Sequence, residues 1–231
     1  MTMAGYLFSA WNWRRFERRA ARYLKQHGVP VFHAKIFDKA KGAPFQGWDP
    51  IRQTAFAHGW FVIAKEHALC GLASSLPKER YNAVRKEFKA NQNVSVFGQC
   101  FNGILADMVS ETETWDLVKS EGLNVVLELG NKHNAGVKEF FYEVREKRNW
   151  QKELRSIGEC SKEDCVAIQL ADYLAFYAWR YAMECSPVGM AVKIPSFLNI
   201  ATAHVRTIAQ LGEDFHATPE VLKRRQRVVG Q

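Results

Sequence analysis

Between Trp11 and Gln26 the apolar residues Trp13, Phe16, Ala20, Tyr23 and Leu24 recur three and four positions apart, with arginines in the gaps. That spacing predicts an amphipathic helix, and Gly28 and Pro30 stop it. Ahead of it, Thr2 to Ser9 reads as a short strand, and after it Val31 to Phe37 reads as extended. Gly42 to Pro50 is a loop containing Phe45 and Trp48. Helical periodicity returns over Ile51 to Glu66, and alternation over His67 to Leu76 predicts a strand. Pro77 suits the first turn of a helix over Lys78 to Lys89. A single helix is expected over Phe97 to Val118. Leu123 to Leu129 is the clearest strand, and Gly130 to Gly136 the loop that ends it. A charged helix runs from Gly136 to Lys147, a strand covers Leu154 to Gly158, and a helix spans Lys162 to Met183. Ile194 to Leu211 reads as helical, and residues 212–231 as a loosely attached basic tail.

Strands interleaved with helices indicate an α/β fold, a sheet covered by helices. No internal repeat, low-complexity linker or charge boundary interrupts the 231 residues, so residues 1–231 are expected to form a single domain, and 47% hydrophobic content is enough for a sizeable core. No stretch approaches the roughly 18 apolar residues that span a bilayer. The apolar start, Met1 to Ala10, has arginines after it and no basic segment before it, the wrong order for a secretory signal. A cytoplasmic protein without a membrane partner is expected. The five scattered cysteines fit a reducing compartment, and only Cys160 and Cys165 are close together, without the tight spacing of a zinc site.

Charge changes this picture. The net +8 is concentrated in Arg14, Arg15, Arg18, Arg19, Arg22 and Lys25 and again in Lys223, Arg224, Arg225 and Arg227. Such clusters attract polyanions by releasing counterions from phosphates, so a nucleic-acid partner is expected; the competing reading is a solvated helix face and a frayed tail.

Candidate chemistry centres on two carboxylates. Asp172 interrupts the apolar, helix-forming run from Gln169 to Ala178 and needs a cation or a site mouth to justify it. Glu128 lies near the carboxyl end of the best strand, where ligand sites of open α/β sheets are found. If the two converge, Mg²⁺ or Mn²⁺ suits their oxygen ligands and phosphodiester cleavage is the reaction such ions support. The alternative is structural ion pairs, Glu128 with Lys132 and Asp172 with Arg180 or Lys162. His33 and Lys35, in the run Phe32 to Asp38, and Lys132 are candidates for proton shuttling and phosphate contact. Asn131, Asn134 and Gln169 are candidate substrate-binding groups. No phosphate-cradling glycine loop, dinucleotide fingerprint or serine elbow is present.

The ordered segments Ala4-Gly5-Tyr6, Trp13 with Phe16, Phe32-His33-Ala34-Lys35, Gly47-Trp48, His67 with Gly71, Glu128-Leu129-Gly130-Asn131-Lys132 and Gln169-Leu170-Ala171-Asp172 resemble the bacterial and phage-associated domain-of-unknown-function family 3800. The resemblance covers roughly Met3 to Arg180 and implies a ribonuclease-H-like mixed sheet flanked by helices, with acidic residues on a divalent metal and a nuclease-type site. The family pattern opens on a strand ending Asp-Glu-Ser-Gly, which this chain lacks. Three readings account for that: the sequence starts at an internal methionine of a longer frame, another strand fills the gap, as from a second subunit in a homodimer, or the protein is an inactive member that serves as a non-catalytic nucleic-acid or protein-binding module.

Overall fold

The computed structural model describes residues 1–76 and 95–184. The helix expected over Lys78 to Lys89, that over Ile194 to Leu211, the tail from 212 and its basic cluster lie outside the described residues. The fold is mixed α/β. In chain order the elements are β1 (Thr2–Leu7), α1 (Ala10–Gln26), α2 (Ala34–Lys39), α3 (Pro50–His67), β2 (Cys70–Ser75), α4 (Val96–Ser110), α5 (Thr112–Glu121), β3 (Leu123–Glu128), α6 (Asn134–Lys147), β4 (Leu154–Cys160) and α7 (Val166–Glu184). β1 pairs with β2, and β3 pairs with β4. Leu69 N–H donates to Leu7 O and Leu76 N–H to Met1 O, both at 2.8 Å, so β1 and β2 run antiparallel.

The described residues divide into two compact units, one of residues 1–3, 74–76 and 95–160 and one of residues 4–73 and 161–184. In the second, largely helical unit, α1 starts at Ser9, whose hydroxyl accepts the Asn12 N–H at 3.3 Å. It ends where Gly28, at φ 70°, lets the Val29 N–H reach Leu24 O at 2.9 Å. The helix buries Phe16, Ala20 and Leu24, the stripe its periodicity predicts. α3 begins with Asp49 accepting the Arg52 N–H at 2.8 Å and with Pro50 in its first turn. Its residues Phe56 and Trp60 close on Phe32, Phe37, Phe45 and Trp48 in a core of interlocking rings. Phe32 alone meets five rings, with Trp60 nearest at 4.7 Å between centroids.

Two local expectations are corrected. Val31 to Phe37 is not extended throughout, because α2 begins at Ala34, buries Ala34 and Phe37 and closes on Ala40 at φ 46°. The cause is tertiary: the amide that opens α2 is bonded by a side chain from α7, described below. The single helix expected from Phe97 to Val118 is two, broken at Glu111, whose backbone is extended (φ −94°, ψ 101°). Glu111 O accepts the Trp115 N–H at 2.9 Å and starts α5, on which Trp115 packs against Trp150 with ring centroids 4.7 Å apart.

The first unit is built on β3–α6–β4. β3 and β4 are parallel, with Val125 opposite Ile157, Leu127 opposite Glu159 and Glu128 opposite Cys160. A parallel pair needs a crossover, and α6 supplies it. Val137, Phe140, Phe141 and Val144 of α6 are buried, as are Leu154 and Ile157 of β4, and Phe101 of α4 meets the rings of Phe140 and Phe141. Among the described residues no helix is long and apolar enough to cross a membrane.

Candidate functional site

The two stretches that stand out in the sequence, Phe32 to Asp38 and Gln169 to Arg180, meet in the second unit. Gln169, Asp172, Tyr173, Tyr177 and Arg180 are three and four positions apart or adjacent, so one face of α7 presents them together. That face holds the 32–38 segment at successive points. Gln169, 1% exposed, accepts the Phe32 N–H through Oε1 at 2.7 Å and donates Nε2 to Lys162 O at 2.6 Å. Asp172 Oδ2 accepts the Ala34 N–H at 3.1 Å. Tyr177 O–H donates to Asp38 at 3.2 Å, and Arg180 pairs with the same carboxylate oxygen at 2.5 Å. Tyr173 lies between, its ring 5.6 Å from Phe32 and 4.9 Å from Phe61. Burial first and then the Asp38 carboxylate push the Tyr177 hydroxyl up to about 12, so it stays protonated as a donor. Burial likewise raises Tyr173.

The position of Asp172 has a physical account in these contacts. His33, at the N-cap position of α2, makes no side-chain capping bond, and the orphan amide of Ala34 takes Asp172 instead. The same oxygen lies 3.1 Å from the ammonium of Lys162, whose side chain is 10% exposed against 29% for Asp172. The cation that a half-buried carboxylate calls for is therefore Lys162, one of the two partners named from sequence; the other, Arg180, belongs to Asp38. Asp172 Oδ1 carries no hydrogen bond among the described residues. His33 and Lys35, either side of Ala34, are both exposed.

The start of α7 is held by a residue that sequence reasoning passed over. Glu17 of α1 accepts the Val166 and Ala167 N–H groups, each at 2.9 Å, and the Cys165 thiol at 3.5 Å. A carboxylate on the orphan amides at a helix N-terminus is favourable for hydrogen bonding and for the helix dipole. Its sequence signal was available, since Glu17 is the sole acidic residue among the basic ones of α1.

Glu128, Asn131, Lys132 and Asn134 lie in the first unit, at the carboxyl end of β3. Gly130, at φ 82°, turns the chain. Asn131 Oδ1 accepts the His133 N–H at 3.0 Å, and Asn134 Nδ2 donates to Glu128 O at 2.7 Å, so both asparagine side chains shape the loop. Asn131 and Lys132 are exposed, and His133 stacks on Phe97 at 4.3 Å. The carboxylate most engaged here is Glu159 of β4, paired with Lys138. Hydrogen bonds from Lys138 and Asn134 hold it below the usual carboxylate range. Only the β3–β4 register, which sets Glu159 opposite Leu127, brings it to this place.

Among the described residues no group of three or more His, Cys, Asp and Glu side chains converges as a preformed metal cage. What this seam offers a hard divalent ion is the second oxygen of a partly exposed carboxylate, Asp172 Oδ1, both partners of Asp172 being on Oδ2. That suits an ion held by one carboxylate, its own waters and the phosphates of a substrate, the usual manner of Mg²⁺. The chain matches no protein-family model, no curated protein and no solved structure.

Proposed function

We propose that this chain is a ribonuclease-H-like domain related to family 3800 that acts on nucleic acid as a divalent-metal-dependent phosphodiesterase, with Asp172 as the acidic ligand in the second unit. The observation that carries this reading is the seam between α7 and the 32–38 segment. It fixes Asp172 through Oδ2, keeps the side chain partly exposed, and sets the exposed His33 and Lys35 on either side of the amide that Asp172 binds. When bound, Mg²⁺ or Mn²⁺ would neutralise phosphate oxygens and acidify a water. Asp172 Oδ1 would be the ligand atom, with Lys162 balancing the Asp172 charge at Oδ2, while the exposed Lys35 would meet a substrate phosphate and the exposed His33 would give or take a proton. Glu128 and Lys132, at the carboxyl end of β3 in the first unit, are proposed separately as an acidic ligand and a phosphate contact, which Glu128→Gln and Lys132→Ala test by loss of cleavage.

Calorimetric titration of Mg²⁺ and Mn²⁺ into the full chain and into Asp172→Asn, with cleavage of a labelled oligonucleotide in Mn²⁺, tests the proposal. The expected result is metal binding and cleavage in the parent protein and loss of both in the variant. Identical heats in the two proteins would remove the metal role. One observation favours a second reading: the 3.1 Å approach of Lys162 to Asp172 already neutralises that carboxylate. Under it the chain is a nucleic-acid-binding module that keeps the scaffold without cleavage, and Asp172→Asn changes stability but not binding.

A further inference from the structure

The exposed face of α1 carries a continuous basic arc. At about 100° per residue, Arg14, Lys25, Arg18, Trp11, Arg22 and Arg15 follow one another around the helix, and Arg19 closes an arc of about 140°. All are exposed, Trp11 at 67%. Arg19 is paired with Glu66, and none of the other basic residues meets a carboxylate among the described residues. The one acidic side chain of the helix, Glu17, is turned to the amides of α7 and neutralises nothing on this face. Arg14 with Arg18, Arg15 with Arg19 and Arg18 with Arg22 are four apart, a like-charge spacing that destabilises a helix unless an anion relieves it. From Arg14 to Lys25 the basic row extends for about 16 Å, long enough to follow several consecutive phosphates.

We infer that the outer face of α1 is a docking surface for single-stranded nucleic acid, with the Arg14–Arg18–Arg22 row on the phosphates and Trp11 stacked on a base. Charge complementarity selects a polyanion, and the bare indole within the row selects one with π faces to cover it, the pairing that sequence-tolerant single-strand binding uses. A lipid surface fits poorly. An interfacial helix must insert its apolar stripe, and Phe16, Ala20 and Leu24 are 0–3% exposed within the protein's own core. The surface shares with the proposed function only its nucleic-acid partner and needs neither metal nor Asp172.

The test is fluorescence anisotropy of a labelled 20-nucleotide oligo(dT) with the full chain in EDTA over a salt series. Each lost single-strand phosphate contact lowers the slope of log K against log salt by about 0.7. Arg14→Gln/Arg18→Gln/Arg22→Gln should lower that slope by about 2 and weaken binding more than tenfold at low salt, while the corresponding lysine triple variant keeps the slope. Trp11→Ala should weaken binding about 5-fold or more at an unchanged slope. Unaltered binding by the glutamine triple variant overturns the inference. So does a Trp11→Ala protein that binds as the parent does, which leaves generic polyanion attraction, and so does preferential loss of anionic-vesicle binding over oligonucleotide binding. Cleavage absent with this binding intact defeats the nuclease reading alone; Asp172-dependent cleavage with this binding unaffected by the α1 variants defeats the docking surface alone.

Discussion

Asp172 and Gln169 do their work through backbone amides more than through each other. Gln169→Leu strips partners from the Phe32 N–H and the Lys162 carbonyl in a buried place. An unsatisfied buried group of that kind costs about 1–3 kcal/mol, to be read as a lower urea midpoint. Asp172→Ala removes the bond to the α2 amide, worth about 1 kcal/mol, and also the carboxylate facing Lys162; the expected total is about 2–4 kcal/mol, reduced from the fully buried case by the partial exposure of Asp172. Asp172→Asn keeps an acceptor for Ala34 and should lose less in the same urea experiment. His67 supplies a pH dependence. Burial, with Arg19 and Arg15 adding to it, holds its imidazole below its ordinary value, and burial with Arg52 does the same to His27. Their neutral forms are favoured in the folded chain, so the stability they contribute is full above the unfolded value of about 6.5 and is lost as the pH falls below it toward the lowered folded values. The thermal midpoint should therefore drop on acidification from pH 7 toward 5, and His67→Gln should flatten that drop.

At the level of elements, packing is tight enough at two glycines for a single methyl group to report on it. A Cβ at Gly59 of α3 would collide with the Tyr23 hydroxyl and stand 2.7 Å from its ring carbon Cζ. That hydroxyl bonds Phe56 O at 2.8 Å and ties α1 to α3. Gly59→Ala must displace the ring, and a loss of about 1–3 kcal/mol is expected, with Tyr23→Phe/Gly59→Ala recovering part of it in calorimetry. In the other unit a Cβ at Gly136 would come within 2.7 Å of the Ser95 hydroxyl, which caps α4 by accepting the Gly98 N–H at 2.9 Å. Gly136→Ala should cost about 1 kcal/mol, the worth of a cap, and faster hydrogen exchange in the first turn of α4 is the local sign to look for. The elements themselves were largely legible. β1, α1, α3, β3, α6 and β4 fall where periodicity and turn residues place them, because each has an apolar stripe or alternation and a local start or stop signal. α2 was not legible: its opening amide is satisfied from a residue 138 positions away. The break at Glu111 had a local signal that the apolar periodicity hid, since Ser110 and Thr112 flank it and such residues favour helix starts over helix interiors.

Across the whole molecule the formal charge of +8 sets the behaviour toward polyanions. If the five α1 cations without a carboxylate partner engage single-strand phosphates, the salt slope of oligonucleotide binding should be near −3.5, and affinity should fall more than tenfold between 50 and 200 mM salt, about 100-fold. A slope near zero in filter binding would contradict a phosphate-dominated interaction.

By itself, the sequence determined the alternation of strands and helices, the amphipathic basic helix α1 and the two motifs around Phe32 and Asp172, since these rest on spacing and composition, which are local. Only the tertiary structure decided what the motifs do to each other. The α7 face opens α2 and grips Asp38, Lys162 rather than Arg180 answers Asp172, Glu17 holds the start of α7, and Glu159 joins the end of β3. Each of these is a buried or half-buried polar group finding its complement outside its own element, and the requirement that such a group be satisfied states that a partner exists without saying which residue it is.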